Sequence, residues 1–301
     1  MASAVLEKIT RNKAVWVSVI LLALPPLFWA GNFIVGRSVR GEIPPVSLSF
    51  YRWLIAAIIL LPFTYQKIKK DWQLYLQSKY LVFISAISGV SAFNTLVYLG
   101  LQSTSANNGM ILNAFIPLLI SVIGTVLFGL RLTTKQWVGV AISLTGVITV
   151  ITQGEPLSLL SFTFNPGDLT VIAAMFCWAI YTLVLKRLPA EIDRVGLIAV
   201  QVLIGLFALL PFYIMETASG IATQWNQHVI FSLVYVGLVP SVLAYLIYSA
   251  CVERLGPTKA GLSTNLLPVF GILLSALFLG ESLYMYQFVG MFMIFIGISL
   301  S

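Results

Sequence analysis

The chain is 301 residues long, with 59% apolar and only 9% charged residues, against roughly 45–50% apolar and about 25% charged in an ordinary soluble domain. A mean hydropathy of +0.98 means more apolar surface than soluble cores can hide, so lipid is the solvent for most of the chain. Two cysteines and so few charges, net +7, exclude a disulfide scaffold, a disordered chain and a nucleic-acid module.

A spanning helix takes about 20 mainly apolar residues. Breaks at charge clusters, Pro, Gly and Asn give ten such spans, at 15–37, 45–66, 80–102, 105–129, 134–152, 168–188, 194–215, 228–253, 257–280 and 283–301. Runs such as Val195 to Ile214 are apolar on every face, unlike the alternating segments of a transmembrane β-barrel. The expected fold class is an all-α integral membrane protein with ten transmembrane helices.

Residues 1–14 form an N-terminal segment bearing Lys8, Arg11 and Lys13. The apolar run behind it is too long for a signal peptide and lacks a small-x-small cleavage site. It reads as an uncleaved first helix, kinked at Pro25-Pro26. Trp29 and Asn32, three apart near its middle, share a face. Arg52 lies about seven residues into the second span, roughly 10 Å deep, with no acid at i±3 or i±4. Three readings of it stand side by side: it snorkels outward, it pairs with a carbonyl or carboxylate elsewhere, or it attracts a substrate carboxylate from the outer vestibule. Asn94 and Tyr98 are four apart in the third span, and Asn113 precedes Pro117 in the fourth.

Gly139, Ser143 and Gly146 line one face of the fifth span, and Gly290 and Gly297 recur in the tenth. Small residues suit close helix approach, within the bundle or between protomers. Trp178 and Tyr181 in the sixth span repeat the spacing of the first, Tyr245 and Tyr248 share a face of the eighth, and Thr264 and Asn265 precede Pro268 in the ninth. Trp16, Trp53, Trp72, Tyr65, Tyr80, Tyr213, Trp225, Tyr284 and Tyr286 fall near the expected interfaces, where an aromatic belt accounts for them. Cys177 and Cys251 read as small buried apolar residues.

With the N-terminus in the cytoplasm, fourteen Lys and Arg fall inside, in clusters at 8–13, 67–79, 131–135, 186–194 and 254–259. Only Arg37 and Arg40 fall outside. This bias explains the net charge as topology signal and places both termini in the cytoplasm. Shifting residues 104–150 by 151 positions superposes Pro117 on Pro268, Gly129 on Gly280, Gly139 on Gly290 and Gly146 on Gly297. A shift of 149 aligns Trp29-Ala30 with Trp178-Ala179. Each half has an odd number of helices, so the halves must run oppositely through the membrane. The expectation is two inverted five-helix repeats, 15–152 and 168–301, joined by an extracytoplasmic linker at 153–167.

The two five-helix halves, the segment Leu255-Gly-Pro-Thr-Lys-Ala-Gly-Leu-Ser-Thr-Asn-Leu-Leu-Pro268 and the following Leu279-Gly-Glu-Ser-Leu283 resemble EamA-type carriers of the drug/metabolite transporter superfamily. The resemblance covers nearly the whole chain. It is greatest to the bacterial inner-membrane branch that exports amino acids, aromatic ones in particular, and so implies that location and direction. One departure is Gly129-Leu130-Arg131 in the first half, where the second has Gly280-Glu281-Ser282. Glu281 itself suits the positive dipole end of the last helix.

Polar groups at membrane depth are costly and point to function. The single histidine, His228, sits at an outer boundary, and the ten acids lie in loops or at span ends. No catalytic set, metal cluster or phosphate loop results, so the expectation is a non-enzyme without cofactor or metal. The candidate substrate-binding set is Trp29, Asn32, Arg52, Asn94, Tyr98, Asn113, Trp178, Tyr181, Tyr245 and Tyr248, against the alternative that these serve interhelical packing and hydrogen bonding. An aromatic pocket with amides suits an amino acid moved by alternating access between the halves. The expected partners are a small-molecule substrate and lipid, with no nucleic acid and the oligomeric state open. A lipophilic-drug efflux carrier, or a non-transporting scaffold or sensor, is the alternative function.

Overall fold

The computed structural model describes residues 2–104, 109, 112–113, 115–155, 157–158, 165–279 and 284–300. Regular structure among them is entirely helical. In chain order the α-helices are α1 (Ala2–Ser38), α2 (Pro45–Lys70), α3 (Trp72–Gln77), α4 (Lys79–Ser85), α5 (Phe93–Ser103), α6 (Ile116–Phe128), α7 (Thr134–Ile151), α8 (Pro166–Arg187), α9 (Arg194–Ala218), α10 (Gln227–Leu238), α11 (Ala244–Leu255), α12 (Pro257–Ser263), α13 (Leu266–Leu279) and α14 (Met285–Leu300). Among the described residues, six stretches are long and apolar enough to cross a bilayer: Ser18–Gly36, Pro45–Lys70, Lys79–Ser103, Pro166–Arg187, Arg194–Ala218 and Gln227–Leu255. The helices Ile116–Phe128 and Met285–Leu300 are apolar but shorter.

Several expected spans are interrupted. π-helical segments Ala86–Ala92 and Val239–Leu243 join α4 to α5 and α10 to α11, inside the third and eighth spans. The ninth span breaks at Thr264 and Asn265 between α12 and α13, just ahead of Pro268, whose ring cannot extend a regular ladder. Pro25 and Pro26 lie inside α1 without ending it, and α1 begins by Ala2 instead of residue 15. The last helix starts at Met285, not 283. Gly280, Glu281 and part of the 153–167 linker lie outside the described residues.

The helices pair in a pattern that an approximate two-fold relation between the halves produces. α2 packs along α9 and α7 along α14, while α1 against α11 mirrors α8 against α5. The glycine stripes belong to one of these pairs. A Cβ on Gly146 would lie 2.7 Å from the Gly290 carbonyl, and one on Gly297 2.5 Å from the Gly139 carbonyl. Small residues thus permit α7 and α14 to touch backbone to backbone within the bundle.

Two helix starts carry matched acids. Asn165 and Asp168 form a capping box on α8, with Pro166 at its first position. Asp193 caps α9 by accepting from Val195 N at 3.0 Å and Gly196 N at 2.9 Å, and it pairs with Lys67 Nζ at 3.0 Å. Burial works against its carboxylate, but the Gly196 N–H, Lys67 and the Val195 N–H outweigh it and hold the pKa below the ordinary value. A group with its folded pKa depressed stabilises above the unfolded value, about 3.9 for aspartate, and loses that contribution as pH falls through the folded value. Asp193→Ala should therefore destabilise by about 0.5–2 kcal/mol at neutral pH. Melting curves of the two proteins in detergent should converge below about pH 4.

Candidate functional site

Helical spacing puts Trp29 and Asn32 on one face of α1 and Asn94 and Tyr98 on one face of α5. The two faces meet where Tyr98 Oη donates to Asn32 Oδ1 at 2.7 Å. Arg52 of α2 enters between them with 0% exposure. Its Nε donates to Ser241 Oγ at 2.8 Å. Nη1 donates to Asn94 Oδ1 and Tyr98 Oη, each at 2.7 Å, and to Asn32 Oδ1 at 3.3 Å. The guanidinium carbon is 5.0 Å from the Trp53 ring centroid and 5.8 Å from that of Tyr98, within cation–π range. Arg52 does not snorkel, and its acceptors are neutral side-chain oxygens. Asn94 Nδ2 extends the network to Tyr245 Oη at 3.0 Å, which donates to the Gly89 carbonyl at 2.5 Å.

An aromatic cluster adjoins this network. The Trp29 ring meets Trp178, Tyr248 and Tyr245 with centroids 4.9, 5.3 and 6.2 Å apart, and Trp178 meets Tyr181 at 5.1 Å. Tyr248 Oη and Thr182 Oγ1 are hydrogen-bonded at 2.8 Å. Trp29 Nε1 donates to the Pro240 carbonyl at 3.1 Å. Pro240 and Gly89 are related by the shift of 151, and both lie in the π-helical segments. Such segments disturb the regular ladder and occur often at functional sites. Each of these two carbonyls is taken by an aromatic donor from the opposite half.

Between the halves lies a cavity of about 20 Å³, lined by Trp29, Asn32, Phe33, Phe93, Asn94, Val97, Asn113, Ile116, Trp178, Thr264 and Leu267. That is room for about one water molecule. Trp29, Asn32, Asn94, Asn113 and Trp178 thus stand on the wall. Arg52, Tyr98, Tyr181, Tyr245 and Tyr248 are equally buried but lie behind it. Trp53 corrects the expected aromatic belt: it is fully buried, edge-on to Tyr245 at 5.1 Å, because its face of α2 turns inward beside Arg52. Trp72, Tyr65, Tyr80, Trp225 and Tyr284 are exposed, as a belt requires. Phe93 and Ser241 were not expected in the site. For Ser241 the available signal was a hydroxyl directly after a mid-span proline.

None of the described acids lines the cavity. At one end of the bundle, Lys67 pairs with Asp193 and Arg194 with Glu253 at 2.9 Å, and Asp71 accepts from Asp193 N. At the other, Glu216 accepts from Val46 N, Ser47 N and Ser47 Oγ. There Glu42 meets Asn226 and, at 2.8 Å, His228, and these two hold its carboxylate below the ordinary pKa.

The model of the EamA-like transporter family matches the chain twice, at residues 16–152 and 165–301. An uncharacterized transporter of Bacillus subtilis, YyaM, is 26% identical over 90% of this chain and 89% of its own. A "probable amino-acid metabolite efflux pump" of Escherichia coli is 25% identical over 93% of this chain and 92% of its own. A crystal structure shares the fold with a TM-score of 0.73 at 18% identity, covering 96% of each chain.

Proposed function

This chain belongs to the EamA-like transporter family, and from that premise we propose that it exports amino acids, aromatic and other apolar ones, by alternating access through the cavity between its halves. The observation that carries this reading is the cavity wall. Two indoles from corresponding helices of the two halves, Trp29 and Trp178, face the same space as the amides of Asn32, Asn94 and Asn113. Indole faces accept rings and aliphatic chains, and amides offer donors and acceptors to carboxylate and ammonium. A purely lipophilic drug would gain nothing from those amides, whose Asn32 and Asn94 oxygens are held by Arg52 and Tyr98, whereas an amino acid can exchange hydrogen bonds with them, which favours the amino-acid reading. The name of the Escherichia coli relative supports the same cargo and direction.

Ligand pockets take about 300–1,000 Å³, so a cavity of about 20 Å³ is an occluded arrangement and the halves must part to load it. The π-helical segments give the third and eighth spans places to bend. Protein in liposomes should carry labelled phenylalanine and leucine down their gradients; carriage of a lipophilic dye with no amino-acid flux would overturn the reading.

The same proposal takes ten spans in inverted repeats of 15–152 and 168–301, with both termini cytoplasmic, for this multi-pass inner-membrane protein. Reporter fusions after the second, fourth, sixth and eighth spans should report the cytoplasmic side. A periplasmic signal from any of them would break the helix count or the frame.

A further inference from the structure

A guanidinium keeps its charge in proteins, and a charge in the membrane interior is expensive unless it is paired. Arg52 is fully buried, yet none of the three ion pairs among the described residues includes it. Its acceptors on Ser241, Asn94, Tyr98 and Asn32 are all neutral. Its Nη2 is buried with no acceptor among the described residues. Positive charge is therefore positioned, oriented by four hydrogen bonds, and left without a counter-charge among the described residues.

We infer that Arg52 is the receptor for a carboxylate on the transported solute, an assignment that rests on the transport reading above and names the group the site selects. Arginine binds carboxylates through two parallel N–H bonds. Nε is committed to Ser241, which fixes the plane of the fork and leaves its Nη1–Nη2 edge to receive the two oxygens. Asn32 and Asn94, which hold Nη1, also line the cavity, so the carboxylate reaches this edge by displacing their amide oxygens. The displaced oxygens then accept from the solute's ammonium group. The other half supplies no second receptor: at the position related by the shift of 149 stands Gln201, whose Nε2 donates to Ser85 Oγ at 2.7 Å. One carboxylate is taken per cavity.

The test uses the full chain in detergent, with tryptophan fluorescence reporting binding of phenylpropionate against phenylpropionamide and of phenylalanine against phenylalaninamide. Each acid should bind about tenfold or more tighter than its amide. Arg52→Gln should abolish that preference, the acid losing far more affinity than the amide, and Arg52→Lys, which keeps the charge but not the fork, should retain only part of it. Acid and amide binding equally to the unaltered protein would overturn the assignment even if neither variant folds, as would a preference that survives in folded Arg52→Gln. A carboxylate preference without flux in liposomes would leave Arg52 assigned and remove the transport reading. Equal flux of acid and amide would do the reverse.

Discussion

Alanine at Trp29 or Trp178 should lower phenylalanine flux by about tenfold or more at matched expression, and Trp225→Ala should change it by less than about twofold. The first two indoles form the aromatic wall of the cavity, whereas Trp225 is exposed and does not line it. Trp29 alone makes three ring contacts, each worth about 0.5–1.5 kcal/mol beyond its buried area. Truncating a buried indole also costs about 3–5 kcal/mol of stability, so phenylalanine variants separate binding from folding. Trp29→Phe keeps a ring but releases the Pro240 carbonyl, and should lower the melting temperature. Trp178 Nε1 lies near Tyr248 without a hydrogen bond of standard geometry, so Trp178→Phe, which loses ring area but no such bond, should lower melting less than Trp29→Phe does. Flux lost in Trp178→Phe would then report a contact to the solute or one formed after the halves part. Equal flux loss in Trp29→Ala, Trp178→Ala and Trp225→Ala would refute the pocket.

The long apolar helices were legible because lipid imposes length and composition on them; the break of the ninth span at Thr264 and Asn265 was not, although Pro268 stands just beyond it. The π-helical segments were not legible. Gly89 and Pro240 are common enough in membrane helices, and what marks them is an aromatic donor reaching each carbonyl from more than 150 residues away. Depth along a span was readable, but the direction of a side chain was not. Depth alone puts Trp53 in the belt, although its neighbour Arg52 signals that polar chemistry enters α2 at that level. The candidate residues were chosen as polar or aromatic groups at mid-span, which selects both the cavity wall and the groups behind it. Only the lining of the cavity in the folded chain separates the two layers.

An imposed pH difference, in liposomes carrying no solute gradient, should not drive accumulation above equilibrium once its effect on solute charge is controlled. Proton-driven carriers need a group that changes charge at membrane depth between the two access states. Among the described residues the cavity wall has none: its polar members there are Asn32, Asn94, Asn113, Thr264 and two indoles, none of which titrates near neutral pH. Arg52 behind it cannot release its proton. The buried acids nearest the membrane are already engaged. Asp71 accepts from Asp193 N. Asp168 accepts from the Thr104 hydroxyl and, across the capping box, from Asn165 N at 2.9 Å. For Asp168 to carry protons it would have to give up its capping-box bond to Asn165 N and its contact with Thr104, and turn inward in one access state. Asp168→Asn, similar in size but uncharged, should thus lower stability and leave the flux insensitive to the pH gradient. Sustained uphill accumulation that collapses with a protonophore, and is abolished by Asp168→Asn, would show that the cap does open and that the carrier is proton-driven. Without such a group, the charge that Arg52 meets arrives with each solute and leaves with it, so the solute's own gradient suffices to turn the carrier over.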